Sequence, residues 1–157
     1  MTLIDAPQYD ASKDIRKRNI WIAVGVLIVA LGAVACAGFF TGHGWFYLNV
    51  PAEHRVNNFF AAVEAKDFNR AFAIWNNDDA WQQHPDKYKD YNFGHFQVDW
   101  SNSSDYGVIT SHKVVCSLAS GSGVAVGVDI NGRVQPTFIW VQNKTHTLGF
   151  SPVEIEC

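Results

Sequence analysis

The sequence predicts an α+β protein, in which one N-terminal transmembrane helix precedes two to three helices packed on an antiparallel sheet of about four strands. Three observations predict it. Residues Ile20 to Phe40 form an apolar run without a charged side chain. Two stretches between Pro51 and Trp75 repeat apolar residues at helical spacing. After Ser101 the chain turns to short β-prone segments separated by Gly, Asn and Ser.

At about 1.5 Å per residue a helical Ile20–Phe40 run covers roughly 31 Å, the thickness of a hydrocarbon core. Lys13, Arg16, Lys17 and Arg18 stand just before it against Asp14 alone, and no comparable basic cluster follows. Because such residues stay on the cytoplasmic side, the N-terminus is expected inside and residues 41–157 outside. Trp21 at one end and Phe39, Phe40, Trp45, Phe46 and Tyr47 at the other suit the two headgroup regions. A cleavable signal has a shorter apolar stretch, of about 7 to 15 residues. Ala33-Val34-Ala35-Cys36 loosely resembles a lipobox but lacks its leading Leu. An uncleaved anchor is therefore expected. Gly25, Gly32, Ala33, Cys36 and Ala37 are small residues at spacings that let a second helix approach, and they form a candidate helix-packing face.

The expected organisation is a cytoplasmic tail over 1–19, the span over 20–40, a connector over 41–51 and an outer domain over 52–157. Pro51 opens a helix that runs to about Ala65, with Val56, Phe59, Phe60 and Val63 on one side. Asp67 is placed to cap a second helix carrying Phe68, Ala71, Phe72 and Trp75. After a polar, turn-rich stretch, a third helix is expected over 92–100. Strands are expected at about 106–118, 123–130, 133–142 and 146–150. Val124, Val126, Val128 and Ile130 alternate with Ala125, Gly127 and Asp129, as in a strand with one buried face. Val134, Phe138 and Trp140 are expected on that same core face. Asn131-Gly132 is the strongest hairpin signal, since both residues tolerate positive φ.

Beyond residue 40 eight Lys and Arg face twelve Asp and Glu, so the outer domain is mildly acidic. No basic stripe is present for a phosphate backbone, and nucleic acid is not an expected partner. Cys116 and Cys157 both lie in the outer domain and are a candidate disulfide, with a reduced alternative left open. His43, His54 and His146 show no ligand spacing, and no CxxC is present, so no metal or cofactor is expected.

The segment from Val56 to Trp75, with Lys66-Asp67-Phe68 at its turn, resembles the opening helical pair of nuclear-transport-factor-2-like domains. The resemblance covers roughly residues 52–150. It implies a strongly bent sheet wrapping the helices into a cone with an internal pocket. An anchor followed by such a domain also resembles actinobacterial proteins associated with lipid-import machinery, which implies a bacterial inner membrane and a periplasmic domain. Members of the superfamily include isomerases, dehydratases, binding modules and structural subunits, so the resemblance implies no one activity.

Within such a cone the candidate pocket residues are Trp81, Tyr88, Tyr91, His95, Asp99 and His112. His95 and Asp99 are one helical turn apart, so the carboxylate could orient the ring as a base. The same spacing also describes an ordinary surface pair. His112 is expected to face inward together with Val114 and Cys116, either lining the pocket or hydrogen-bonded in the core. Trp81, Tyr88 and Tyr91 either cover the cone or pack on the helices. No catalytic set emerges. The expected function is a non-enzymatic accessory subunit of a larger complex, partnered by other integral membrane proteins and the lipid bilayer. A binding module for an apolar small molecule or lipid is the second reading, and a tethered isomerase or hydrolase the third.

Overall fold

The computed structural model describes residues 11–157. The part of the expected tail that precedes Ala11 lies outside the described residues. α1 (Ala11–Phe40) is one helix of 30 residues, long and apolar enough to cross a bilayer. α2 (Phe46–Glu64), α3 (Phe68–Asn76) and α4 (Phe93–Trp100) precede β1 (His112–Ser120), β2 (Gly123–Ile130), β3 (Thr137–Gln142) and β4 (Leu148–Phe150). The strands form one antiparallel meander in the order β1-β2-β3-β4, giving the expected α+β class.

Helix ends follow local chemistry. α2 begins at Phe46 rather than at Pro51, so much of the expected connector is helical. Pro51 lies inside α2 and has no N–H for the carbonyl of Tyr47, so one internal hydrogen bond is forgone. At the far end Lys66 takes φ 58°, with Lys66 N bonded to Val63 O and Asp67 N to Ala62 O, both at 2.9 Å. That Schellman closure turns the chain directly into α3. Asp67 then caps α3 by accepting from Arg70 N at 3.0 Å. Asn77 ends α3 with φ 51°, and Asn92 caps α4 by accepting from His95 N at 3.0 Å.

The core lies between the helices and the sheet. Phe59, Phe60, Phe72, Phe96 and Trp100 are buried there against Val124, Val126, Val128, Ile130 and Ile139. Phe59 meets Phe60 and Trp100 edge to face, with centroids 5.0 Å apart in both pairs.

Three expectations about side-chain direction are corrected. β2 is buried on both faces rather than one. Its second face is covered by the Cys116–Cys157 disulfide and by Phe138, so that a side chain at Gly127 would collide with both sulfurs. β3 runs with the opposite parity: Ile139 and Val141 enter the core, while Phe138 pairs with Gly127 and Trp140 with Ala125 on the back. Val134 is 99% exposed, because the β2–β3 loop extends to Pro136 and β3 starts only at Thr137. A β-bulge at Val115 shifts β1, so His112 and Val114 face the helices but Cys116 turns to the back. Ser117 takes the inward position instead.

Strand ends also differ. β1 starts at His112 rather than near Tyr106, because residues 101–111 are held as a loop by Asn131. The Asn131 carboxamide accepts from Thr110 N and Ser111 N and donates to Val108 O. Asn131 and Gly132 have φ of 55° and 70°, the positive values their hairpin turn needs.

Candidate functional site: the junction of α1 with the α+β domain

Two features converge where α1 meets the α+β domain. The first is the surface of α1. Gly25 and Gly32 have open space around the position a side chain would occupy, and Ala33, Cys36 and Ala37 are exposed. Ile22, Gly25, Val26, Val29 and Ala33 outline a shallow notch along this side. By contrast Ala35 and Gly38 are buried. At about 100° per residue Gly38 lies roughly 160° round the helix from Cys36. α1 turns only Ala35 and Gly38, in its last two turns, to its own chain; from Ser12 to Val34 it is exposed on every side, the small-residue stripe included.

The second feature is a polar clamp. Gly38 approaches Gly44 so closely that a side chain there would collide with the Gly44 carbonyl. His43 N is bonded to Gly38 O at 2.9 Å, and Ser117 N of β1 donates to Gly42 O at 3.0 Å. His43 Nδ1 donates to Glu53 Oε1 of α2 at 2.7 Å. The Ser117 hydroxyl donates to the same carboxylate and accepts from Asn49 Nδ2 at 2.9 Å. Asn49 and Ser117 are buried, and the Glu53 side chain is 16% exposed.

A Ser, a His and a Glu in contact invite comparison with a hydrolase triad, but the order is wrong. The carboxylate sits between hydroxyl and imidazole, so the imidazole cannot take the serine proton. With Ser117 buried, the arrangement is suited to fixing the helix–domain angle rather than to attacking a substrate. These residues are 10 and 64 positions apart, and no sequence motif joins them. The one available signal was Gly42 to Gly44, whose close turns bring His43 back onto α2.

The candidate pocket residues are placed elsewhere and do not converge. Asp99 accepts from Tyr91 Oη at 2.7 Å, whereas His95 is exposed and makes no bond to Asp99. Burial, aided by the Asp99 carboxylate, pushes the Tyr91 phenol well above its usual range. Trp81 packs edge-on to Phe72 at 4.8 Å, and Tyr88 lies 5.6 Å from the same ring. Tyr88 Oη also donates to Asp78 at 2.5 Å, and His84 and Lys87 reach the same carboxylate. The Tyr88 hydroxyl first, then His84 and Lys87, hold the Asp78 carboxyl well below the usual carboxylate range. Thus the loop aromatics close the core. His112 stacks on Phe60 at 5.4 Å, with Nδ1 2.6 Å from Glu64 Oε1 and Nε2 3.0 Å from Asn57 Oδ1. Cys116 and Cys157 are bonded, with Cα atoms 5.4 Å apart.

A groove of about 690 Å³ lies outside the core, between the first turns of α2, α3 and the end of β3. Arg55 on its wall donates to Ile74 O at 2.7 Å and Asn77 Oδ1 at 2.9 Å. Burial lowers the Arg55 pKa, and nearby Asp79 opposes that shift. No protein family, curated protein or solved structure matches the chain.

Proposed function

We propose that this chain is a single-pass, non-enzymatic accessory subunit that holds a larger membrane assembly together. The N-terminus faces the cytoplasm, and the outer domain stands in the periplasm of a bacterial envelope. The basic cluster before the span supports that orientation, and the architectural resemblance supports the compartment. The observation that carries the reading is the exposure of α1. Only Ala35 and Gly38, near its end, are covered by the chain's own connector, and the stripe of Gly25 and Gly32 is open to a neighbouring helix.

The finer reading of the outer domain is nuclear-transport-factor-2-like, on the order of two helices, a third and then an antiparallel meander. The space between helices and sheet is filled by five aromatic side chains, each no more than 1% exposed. That filling favours a structural role for the domain over capture of a ligand inside it.

Extraction of the native membrane in mild detergent, recovery of the chain and mass spectrometry of what accompanies it test the proposal. Larger integral membrane proteins in fixed stoichiometry are expected. Recovery as a lone monodisperse species would overturn it.

A further inference from the structure

We infer that the groove between α2, α3 and the end of β3 binds the headgroup of an anionic lipid from the leaflet beside the domain. This inference is separate from the subunit reading, since it concerns a different surface and a different ligand.

Position is the first argument. Tyr47 and Leu48 line the groove and lie only seven and eight residues beyond Phe40, the last residue of α1. The clamp of His43, Glu53 and Ser117 holds that stretch against the domain. Trp45, Phe46 and Tyr47 are all exposed beside it, and amphipathic rings of this kind settle at headgroup depth. One end of the groove is therefore at the membrane surface.

Charge is the second. The outer domain as a whole is acidic, yet this groove gathers Arg55, Arg70, His54 and His146 against a single acid, Asp79. Arg55 and Asp79 stand near each other and balance. Arg70 is exposed, and its guanidinium makes no ion pair or hydrogen bond with any described residue. An uncommitted guanidinium presents a flat fork of donors that matches two phosphate oxygens. Asn58 and Asn143 add amide donors on the same wall.

The third is the floor. Leu48, Pro51, Ile74 and Val141 are apolar and border the charged wall. A phosphate head with the first carbons of its chains meets both surfaces, whereas free phosphate uses only one.

The test uses the full chain in mild detergent, supplied with equal amounts of phosphatidylglycerol and phosphatidylcholine of identical acyl chains, and native mass spectrometry of retained lipid. The expected result is one retained phosphatidylglycerol per chain, preferred by about tenfold over phosphatidylcholine. Arg70→Glu should abolish the preference. Lys89→Glu, the same charge change at an exposed residue outside the groove, should leave it intact. Because the Arg70 side chain has no partner to lose, its replacement should not unfold the domain, and an unchanged melting temperature verifies this. Equal retention of the two lipids, or a preference that survives Arg70→Glu, would overturn the inference. So would displacement of the lipid by millimolar inorganic phosphate, which would make the groove a site for the free anion.

Discussion

Cutting the bridge between Cys116 and Cys157 should cost the outer domain a large part of its stability. The bond spans 41 residues and encloses β2, β3 and β4. Closing a loop of that length removes about 13 cal/mol/K from the unfolded chain, or about 4 kcal/mol at 25 °C. The tail it anchors contributes little burial of its own, since Val153, Glu154 and Glu156 are exposed. Domains of this size are stable by about 5–15 kcal/mol, so the loss should lower the melting temperature by about 15 °C. Cys157→Ala is the cleanest perturbation, because it leaves the Cys116 side chain in place against Gly127. The assay is thermal unfolding of the full chain in detergent, followed by near-UV circular dichroism with and without reductant. Cys157→Ala should melt about 15 °C below the oxidised parent and together with the reduced parent. Removal of Pro152 to Cys157 should match Cys157→Ala, since the tether and not the tail's contacts is what counts. A Cys157→Ala variant within about 2 °C of the oxidised parent would refute the reasoning.

Other perturbations read different parts of the structure. Gly32→Leu keeps α1 apolar but fills its small-residue stripe, and should reduce the yield of co-purifying membrane proteins by about tenfold. Val34→Leu, about 160° away round the helix, should not reduce it. Glu53→Ala leaves the Ser117 hydroxyl and His43 without their shared acceptor and should cost about 1–3 kcal/mol, read as a lower melting temperature. Asn131→Gly retains the positive φ but deletes the carboxamide that holds Thr110, Ser111 and Val108. It should cost about 1–3 kcal/mol in denaturant unfolding, and a neutral result would show the loop needs only the turn. The Asp78 carboxyl titrates below its unfolded value of about 3.9, so its contribution is complete above that pH and falls as acid carries the solution through the folded value. The gap in melting temperature between parent and Asp78→Asn should therefore be constant from about pH 5 to 8 and close only in stronger acid.

What the sequence carried was local. Asp67 caps α3 because its short carboxylate follows a turn and precedes an apolar period, whereas Asn92, expected as the first residue of a helix, proves to be the cap of α4. The bounds of β2 were legible from strict alternation between two turn signals. What failed was parity after an irregularity. Nothing in Val114-Val115-Cys116 announces the bulge, yet that one extra residue moves Cys116 to the back of the sheet and Ser117 to the front. Likewise Arg133 to Pro136 reads as strand, but Pro136 can donate no ladder bond and the strand waits for Thr137. The junction was illegible for a different reason. His43, Glu53 and Ser117 have no shared period, and only the fold of two helices and a strand brings them together. The pairing of His95 with Asp99 was the converse case, a good local spacing defeated by Tyr91, which reaches the carboxylate first.

The junction bears on how α1 and the α+β domain can act as one part. A transmembrane helix joined to its domain by a free linker transmits only nearness. Here the linker is five residues, Thr41 to Trp45, bonded through His43 N to the end of α1 and through Gly42 O to Ser117 of β1. α2 then starts at Phe46, and Glu53, two turns along it, is tied to both His43 and Ser117. Glu53 fixes His43 of the linker against α2 and β1. His43 N is in turn bonded to Gly38 O at the end of α1, so these bonds resist rotation of the domain relative to α1. Under the proposed function, a neighbour packed on the Gly25 and Gly32 stripe of α1 would also bias which way the domain points. The same bonds would keep the groove of Arg70 at a fixed height above a bilayer spanned by α1. Helix packing in the membrane and headgroup contact outside it would then orient the domain together.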